Sequence, residues 1–354
     1  MRFSQSRPPV ALALAVLALL LAAPEKSARG APEKSPGGPR VEGPFPNQNL
    51  AIYTVFDRPS DDRRYVTLAD GMKARTVIVR ERGAAGGGNA AVNELEVENK
   101  SDQWLFLQAG DVVHGGQQDR TIGIDIAIPP KSAPQPISAF CVEHGRWTGK
   151  SSFDGNAAIV GSPKLKASIQ GEKNQSAVWA GVAAGEARAA EVVSGEVPTV
   201  SRKMSATGTY SAIVENREIQ SRTADYVSPL LGRLEEAKDA VGLVVAINGE
   251  LVAADVYGSP ALFHKLARKL IESYAREALL AIDLKQARLK APSREAALEY
   301  LVSVSRAEAK NEKVGASVRK TTRETSKVVV YEYTEPGDGP AGSGRLLHKS
   351  FVTK

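Results

Sequence analysis

Apolar residues first follow strand-like patterns, and helix spacing appears only later in the chain. Residues 51–56 (AIYTVF) and 75–79 read as strands, and residues 92–97 alternate apolar with polar as a half-buried strand does. Residues 104–107, 119–128 and 137–142 continue as strands broken by glycine turns, with Pro129 and Pro130 closing one of them. Residues 83–88 are glycine-rich but lack phosphate-loop spacing and a following helix pattern, so they read as a hairpin connection. Helix spacing begins at residues 174–190 through Val178, Trp179 and Val182, and the pattern then weakens until Tyr226. Residues 242–247 and 251–257 flank Asn248-Gly249, which predicts a tight hairpin. Ser259-Pro260 supplies an N-cap and a first-turn proline for a helix whose apolar face is Leu262, Phe263, Leu266, Leu270, Ile271 and Tyr274. A second helix starts at Pro292-Ser293 with Ala297, Leu298, Leu301 and Val304 inward, and strands at 327–333 and 346–352 follow. The order predicts an α+β fold: antiparallel and β-rich over residues 49–170, mixed and helix-covered α/β over residues 171–354.

The N-terminus changes this picture by adding a compartment. Arg2 and Arg7 precede an uncharged apolar run at residues 10–23, shorter than the roughly 20 residues a membrane span needs. The pattern predicts a signal peptide over residues 1–30, with Ala28 and Gly30 at the small-residue positions of a cut before Ala31. An uncleaved anchor is the competing reading. Residues 31–48, rich in Pro, Gly, Lys and Glu, read as a flexible linker before a single domain at 49–354. The mature protein is then expected to be periplasmic or secreted, with no membrane span after cleavage. A single cysteine, Cys141, excludes an internal disulfide. The net charge of +6 is dispersed, and no basic stripe is interleaved with aromatics, so nucleic acid is not an expected partner.

Polar functional groups concentrate in residues 110–120 and 141–147. Gly110, Gly115 and Gly116 let the backbone turn sharply and approach a ligand. His114, Gln117, Asp119, Arg120 and Arg146 form the expected ligand-binding set. In it Arg120 clamps a carboxylate or phosphate, and Asp119 or Asp111 holds the guanidinium. An internal Asp–Arg pair is the competing reading. His114, Glu143 and His144 carry metal-ligating atoms, but no spacing matches a metal motif, and neither metal nor cofactor is expected. Cys141, with His144 to stabilise its thiolate and Glu143 or Asp119 to orient the ring, would make a thiol nucleophile. Against this, a lone cysteine in an apolar strand behaves as a small buried hydrophobe. His264 and His348 read as surface or packing residues. These features predict an exported, non-enzymatic domain that binds a polar ligand or an envelope protein. A thiol-dependent hydrolase or transferase, and a purely structural envelope module, stay open as alternatives.

The sequence also resembles a known bacterial family. The segments that carry the resemblance are residues 99–102, Leu107-Gln108-Ala109-Gly110-Asp111, Gly115-Gly116-Gln117-Gln118-Asp119-Arg120, Ile128-Pro129-Pro130, Phe140-Cys141-Val142-Glu143 and Gly145-Arg146-Trp147. Later segments at residues 245–249, 255–259 and 270–274 extend it. The family is the ARG and Rhodanese-Phosphatase-superfamily-associated Protein domain. The resemblance implies one continuous domain from about Leu50 onward and marks residues 110–147, and it brings no reaction with it.

Overall fold

The computed structural model describes Met1 and residues 38–83, 93–147, 152–195, 206–282, 290–315, 317–337 and 344–354. The expected signal peptide and most of the glycine-rich connection lie outside the described residues. The first strands, β1 (Arg40–Asn47) and β2 (Leu50–Phe56), form an antiparallel pair. This corrects the expectation of a linker through residue 48. Pro44 and Pro46 are tolerated because β1 lies at a sheet edge, where a missing N–H breaks no interior ladder, and Val41 packs into the core.

The elements then run β3 (Tyr65–Thr67), α1 (Leu68–Lys73), β4 (Val77–Glu81), β5 (Glu94–Asn99), β6 (Trp104–Leu107), β7 (Asp111–Gly115) and β8 (Arg120–Ile122). Next come β9 (Ile126–Ile128), β10 (Ser132–Cys141), β11 (Phe153–Ile159), α2 (Pro163–Ala167) with a π turn (Ser168–Glu172), α3 (Gln175–Ser194), α4 (Tyr210–Glu215) and α5 (Arg217–Glu236). The hairpin β12 (Gly242–Ile247) and β13 (Glu250–Tyr257) leads to α6 (Pro260–Leu280), α7 (Arg294–Val302), β14 (Ala309–Val314), β15 (Val318–Glu324), β16 (Val328–Glu335) and β17 (Arg345–Thr353). Large antiparallel sheets with helices packed on them make the fold α+β. No helix among the described residues is long and apolar enough to cross a membrane.

An eight-stranded sheet, ordered β1-β2-β12-β13-β17-β16-β15-β14, joins early and late parts of the chain. Both of its faces are covered. In β2, Leu50 and Ile52 enter the core shared with α5 and α6, whereas Ala51, Tyr53 and Val55 enter the core under α7. Two buried faces explain why residues 50–56 and 242–247 are continuous apolar runs instead of alternating ones. A six-stranded sheet, β11-β7-β8-β10-β5-β4, curls until its edges meet at a bridge between Arg80 and Ser152. A small sheet, β3-β6-β9, lies beside them in sequence order.

Local signals place several of these elements. Ser259 caps α6, and all six residues of its expected apolar face are buried. On α7 the outcome differs in detail, because Tyr300 turns inward while Leu298 is exposed. α5 escaped the sequence pattern because polar residues such as Thr223 share its buried face with Tyr226, Val227 and Leu230. β14 carries no alternation because residues 309–313 are all exposed at a sheet edge.

A charged cluster is sealed between the layers. His348 on β17 sits between two carboxylates, its Nδ1 2.6 Å from Asp125 and its Nε2 3.1 Å from Asp255. Asp255 also accepts from Lys166 Nζ at 3.2 Å and from the Tyr274 hydroxyl. The His348 ring stacks on Tyr257 with centroids 4.4 Å apart. None of Asp125, Lys166, Asp255, Tyr274 and His348 is more than 1% exposed. With His348 protonated, two positive charges balance two negative ones. Burial alone would lower the His348 pKa, but the Asp125 and Asp255 carboxylates outweigh it and push the imidazole up to about 9. Burial likewise opposes ionisation of Asp255, yet Lys166, His348 and Tyr274 hold its carboxyl well below the usual range. His348, expected as a surface or packing residue, is instead a buried charged pin joining β17, β13 and the turn after β8.

Candidate functional site

The two polar segments singled out in the sequence meet in space. β7 and β8 pair antiparallel, and the turn between them brings Gly115 and Gly116 to φ values of 111° and 57°. Glycine is needed at residue 116 for space as well: a Cβ there would lie 2.5 Å from the Phe153 ring and 2.9 Å from a Glu81 oxygen.

Asp119 and Arg120 are adjacent in extended chain, so their side chains leave on opposite sides. This separation decides the roles of both. Arg120 is fully buried and grips Glu81 of β4, with Nη2 3.2 and 3.1 Å from the two carboxylate oxygens, while Nη1 donates to Cys141 Sγ. The clamp expected to take a ligand carboxylate already holds an internal one. Neither Asp119 nor Asp111 is its partner, since Asp111 instead pairs with Lys269 of α6.

Asp119 faces the other way and organises the exposed side. Its carboxylate accepts from the Gly115 N–H at 3.0 Å and the Thr209 hydroxyl at 2.8 Å, meets His114 Nδ1 at 3.0 Å, and receives Arg146 Nη2 at 2.9 Å. Burial would raise its pKa, but the nearby Ser211 hydroxyl, hydrogen bonds from Gly115 and Thr209, and the adjoining His114 ring hold it below the ordinary carboxylate value. Arg146 is a strut across the two segments. Its Nε donates to Glu143 at 2.8 Å, Nη1 to the Gly116 carbonyl at 3.0 Å and Nη2 to the Gly115 carbonyl at 3.1 Å. Partial burial opposes its charge, but Glu143 and Asp119 overcome this and raise its pKa.

Glu143 is buried and His144 exposed; the strand expected to carry them ends at Cys141, and Glu143 instead makes an isolated bridge to Thr209. The His144 ring packs edge-on against Trp179 of α3 with centroids 4.6 Å apart. Gln117 is half-buried, and its backbone N–H donates to Glu81 at 3.1 Å. The outer rim therefore consists of His114, with 45% of its side chain exposed, together with His144, Arg146 and Trp147, which is 57% exposed. Among the described residues no His, Cys, Asp and Glu group is arranged to hold a metal ion.

Cys141 lies inside, 1% exposed, and no described histidine shares a hydrogen bond with it. Burial pushes its thiol pKa up; Arg120 acts against this and Glu81 adds to it. An iodoacetamide-type reagent is expected to modify the folded protein slowly and the urea-unfolded protein quickly, as read by intact mass. Fast labelling of the folded form, with a midpoint below about 8.5, would restore the thiol-nucleophile reading.

Three contributors escaped sequence reasoning. Glu81 carried a signal: it shares parity with buried Val77 and Val79, so the strand pattern places a carboxylate on the core face. Thr209 and Ser211 carried none, since their segment lacks periodicity. The same elements anchor the comparison with known proteins. A family model, the ARG and Rhodanese-Phosphatase-superfamily-associated Protein domain, matches residues 38–352. No curated protein and no solved structure matches the chain. The family match takes in β1 and runs into β17, so it spans both edges of the polar site and all three sheets. By this coverage the chain belongs to the ARG and Rhodanese-Phosphatase-superfamily-associated Protein domain family.

Proposed function

We propose that the protein is a non-catalytic binding domain of the cell envelope that recognises a partner protein through the rim formed by His114, His144, Arg146 and Trp147. The observation that carries this reading is Trp147, 57% exposed beside an arginine that is bonded to two carboxylates and two backbone carbonyls. An exposed aromatic on a braced loop has lost little freedom still to be lost on binding, and tryptophan and arginine are the residues in which interface energy concentrates. The signal-peptide pattern at residues 1–30 supports a partner in the envelope.

The electrostatics narrow the partner. Asp119 and Glu143 outnumber Arg146, so the rim favours a hydrogen-bond donor or a cationic group. With Nδ1 tied to Asp119, Nε2 of His114 is the atom available to accept from it. Both arginines are committed internally, which supports a face that reads donors in preference to one that clamps anions.

Placing a photo-crosslinking phenylalanine analogue at residue 147 is expected to trap one discrete adduct in envelope extracts. With the partner purified, Trp147→Ala should weaken binding by at least about tenfold and His114→Ala by a smaller factor, by calorimetry. A partner whose affinity is unmoved by both changes, with circular dichroism intact, would remove this face from consideration.

A further inference from the structure

The eight-stranded sheet carries a second site, independent of the His114 rim. Where β14 to β17 close one end of the sheet, α2 and the π turn after it pack over one face and leave a groove of about 1040 Å³. That is the upper end of the range for small-molecule sites. Antiparallel pairing builds its floor. Lys310 of β14 stands opposite Thr322 of β15, and Thr322 opposite Tyr331 of β16, so the three side chains share one face in a row across the strands. The next row on that face places Val329 opposite Val352 and is apolar. All five residues line the groove.

The polar row is uncommitted. Among the described residues, neither the Tyr331 nor the Thr322 hydroxyl makes a hydrogen bond, and Lys310 makes no salt bridge. Tyr331 is only 3% exposed, yet its hydroxyl is not sealed in the core and reaches the groove. Gly171 of the π turn leaves room for it, since a Cβ there would lie 2.4 Å from the hydroxyl oxygen. Burial, helped by Glu324 and Glu172, pushes the Tyr331 pKa up to about 12, so the hydroxyl keeps its proton and is a donor. A donor so nearly buried is costly to leave unpaired.

The charges around this row favour an anion. Among the described residues five lysines and three glutamates line the groove, a formal excess of two positive side chains. Glu312 is shared by Lys173 and Lys320, and Glu324 pairs with Lys354, with Lys310 acting on it from further off. Glu172 is exposed, where water screens its charge.

We infer that this groove binds a small amphipathic carboxylate, its apolar body lying on Val329 and Val352 and its carboxylate received by Lys310 and the Thr322 and Tyr331 hydroxyls. An acyl chain and an aromatic ring share the chemistry that fits, an apolar body ending in a carboxylate. Binding would turn the unpaired hydroxyls into charge-assisted hydrogen bonds.

The test titrates the purified protein with decanoate, below its micelle concentration, and separately with naphthoate, by calorimetry and thermal unfolding. Acetate, which lacks the body, and decyltrimethylammonium, which reverses the charge, are the controls. Saturable one-to-one binding and a rise in Tm are expected with at least one of the two carboxylates, and the one that binds tells chain from ring. Tyr331→Phe, which removes only the hydroxyl, and Lys310→Gln, at an exposed position, should both fold normally and each bind about tenfold more weakly. No binding of either carboxylate, equal binding of either control, or unchanged affinity in both variants would overturn the assignment.

Discussion

His348→Ala is expected to destabilise the protein by about 3–5 kcal/mol, the range for removing one partner from a buried ionic pair. The substitution takes a charge from between Asp125 and Asp255 and leaves Asp125 buried with, among the described residues, only the Ala109 N–H, at 2.6 Å, as a donor. It also empties the face of Tyr257 on which the imidazole stacks. The same residue sets a pH dependence whose sign follows from linkage. Its pKa rises from 6.5 to about 9 on folding, so its contribution is complete below 6.5 and is lost as pH climbs through about 9. Asp255 moves the other way: its contribution is present above 3.8 and fades as pH falls below that value. Urea unfolding at about pH 6 and about pH 10 should show the native protein losing stability between them, and His348→Ala losing much less. Equal losses in both proteins, or a cost below about 1 kcal/mol at the lower pH, would show that the cluster is not the charged pin described above.

Arg120→Ala should cost a similar amount, about 3–5 kcal/mol, for a related reason. Glu81 would be left in the core with one donor among the described residues, the Gln117 N–H, in place of the guanidinium fork. The informative variant is the double one. Arg120→Met with Glu81→Leu removes both charges and retains bulk, so it should recover most of the loss and show a large coupling in a double-mutant cycle. An additive cycle would mean that the two side chains do not act as a pair. The result also bears on recognition: if Arg120 is a strut, the double variant should bind a rim partner with near-native affinity.

How much of this was legible can be judged residue by residue. The Asn248-Gly249 turn and the Ser259 cap were readable because each depends on a few adjacent residues; Asn248 and Gly249 have φ values of 53° and 79°. The polar segments at residues 110–120 and 141–147 were recognisable as a site, but their pairings were not. Asp119 or Asp111 was expected to hold the Arg120 guanidinium, but the alternation of extended chain sends Asp119 and Arg120 apart, and Asp111 pairs with Lys269. Glu81 lay within reach of a parity argument. Asp255 and His348 did not, because their meeting depends on β13 pairing with β17, a contact between distant segments that no local pattern encodes. β1 was hidden by its prolines, which an edge position excuses.

The strand order has a consequence in time. β2 gains its second neighbour only when β12 has been made, so at about 5–20 residues per second roughly 10–40 s of synthesis separate the two. All of β2 except Phe56 is buried in the finished sheet. Until β12 arrives, one side of this apolar strand is an open template for another chain. A ribosome making this protein therefore carries an adhesive intermediate for much of the transcript, and keeping neighbouring nascent chains apart falls to the cell's holding factors and not to the fold.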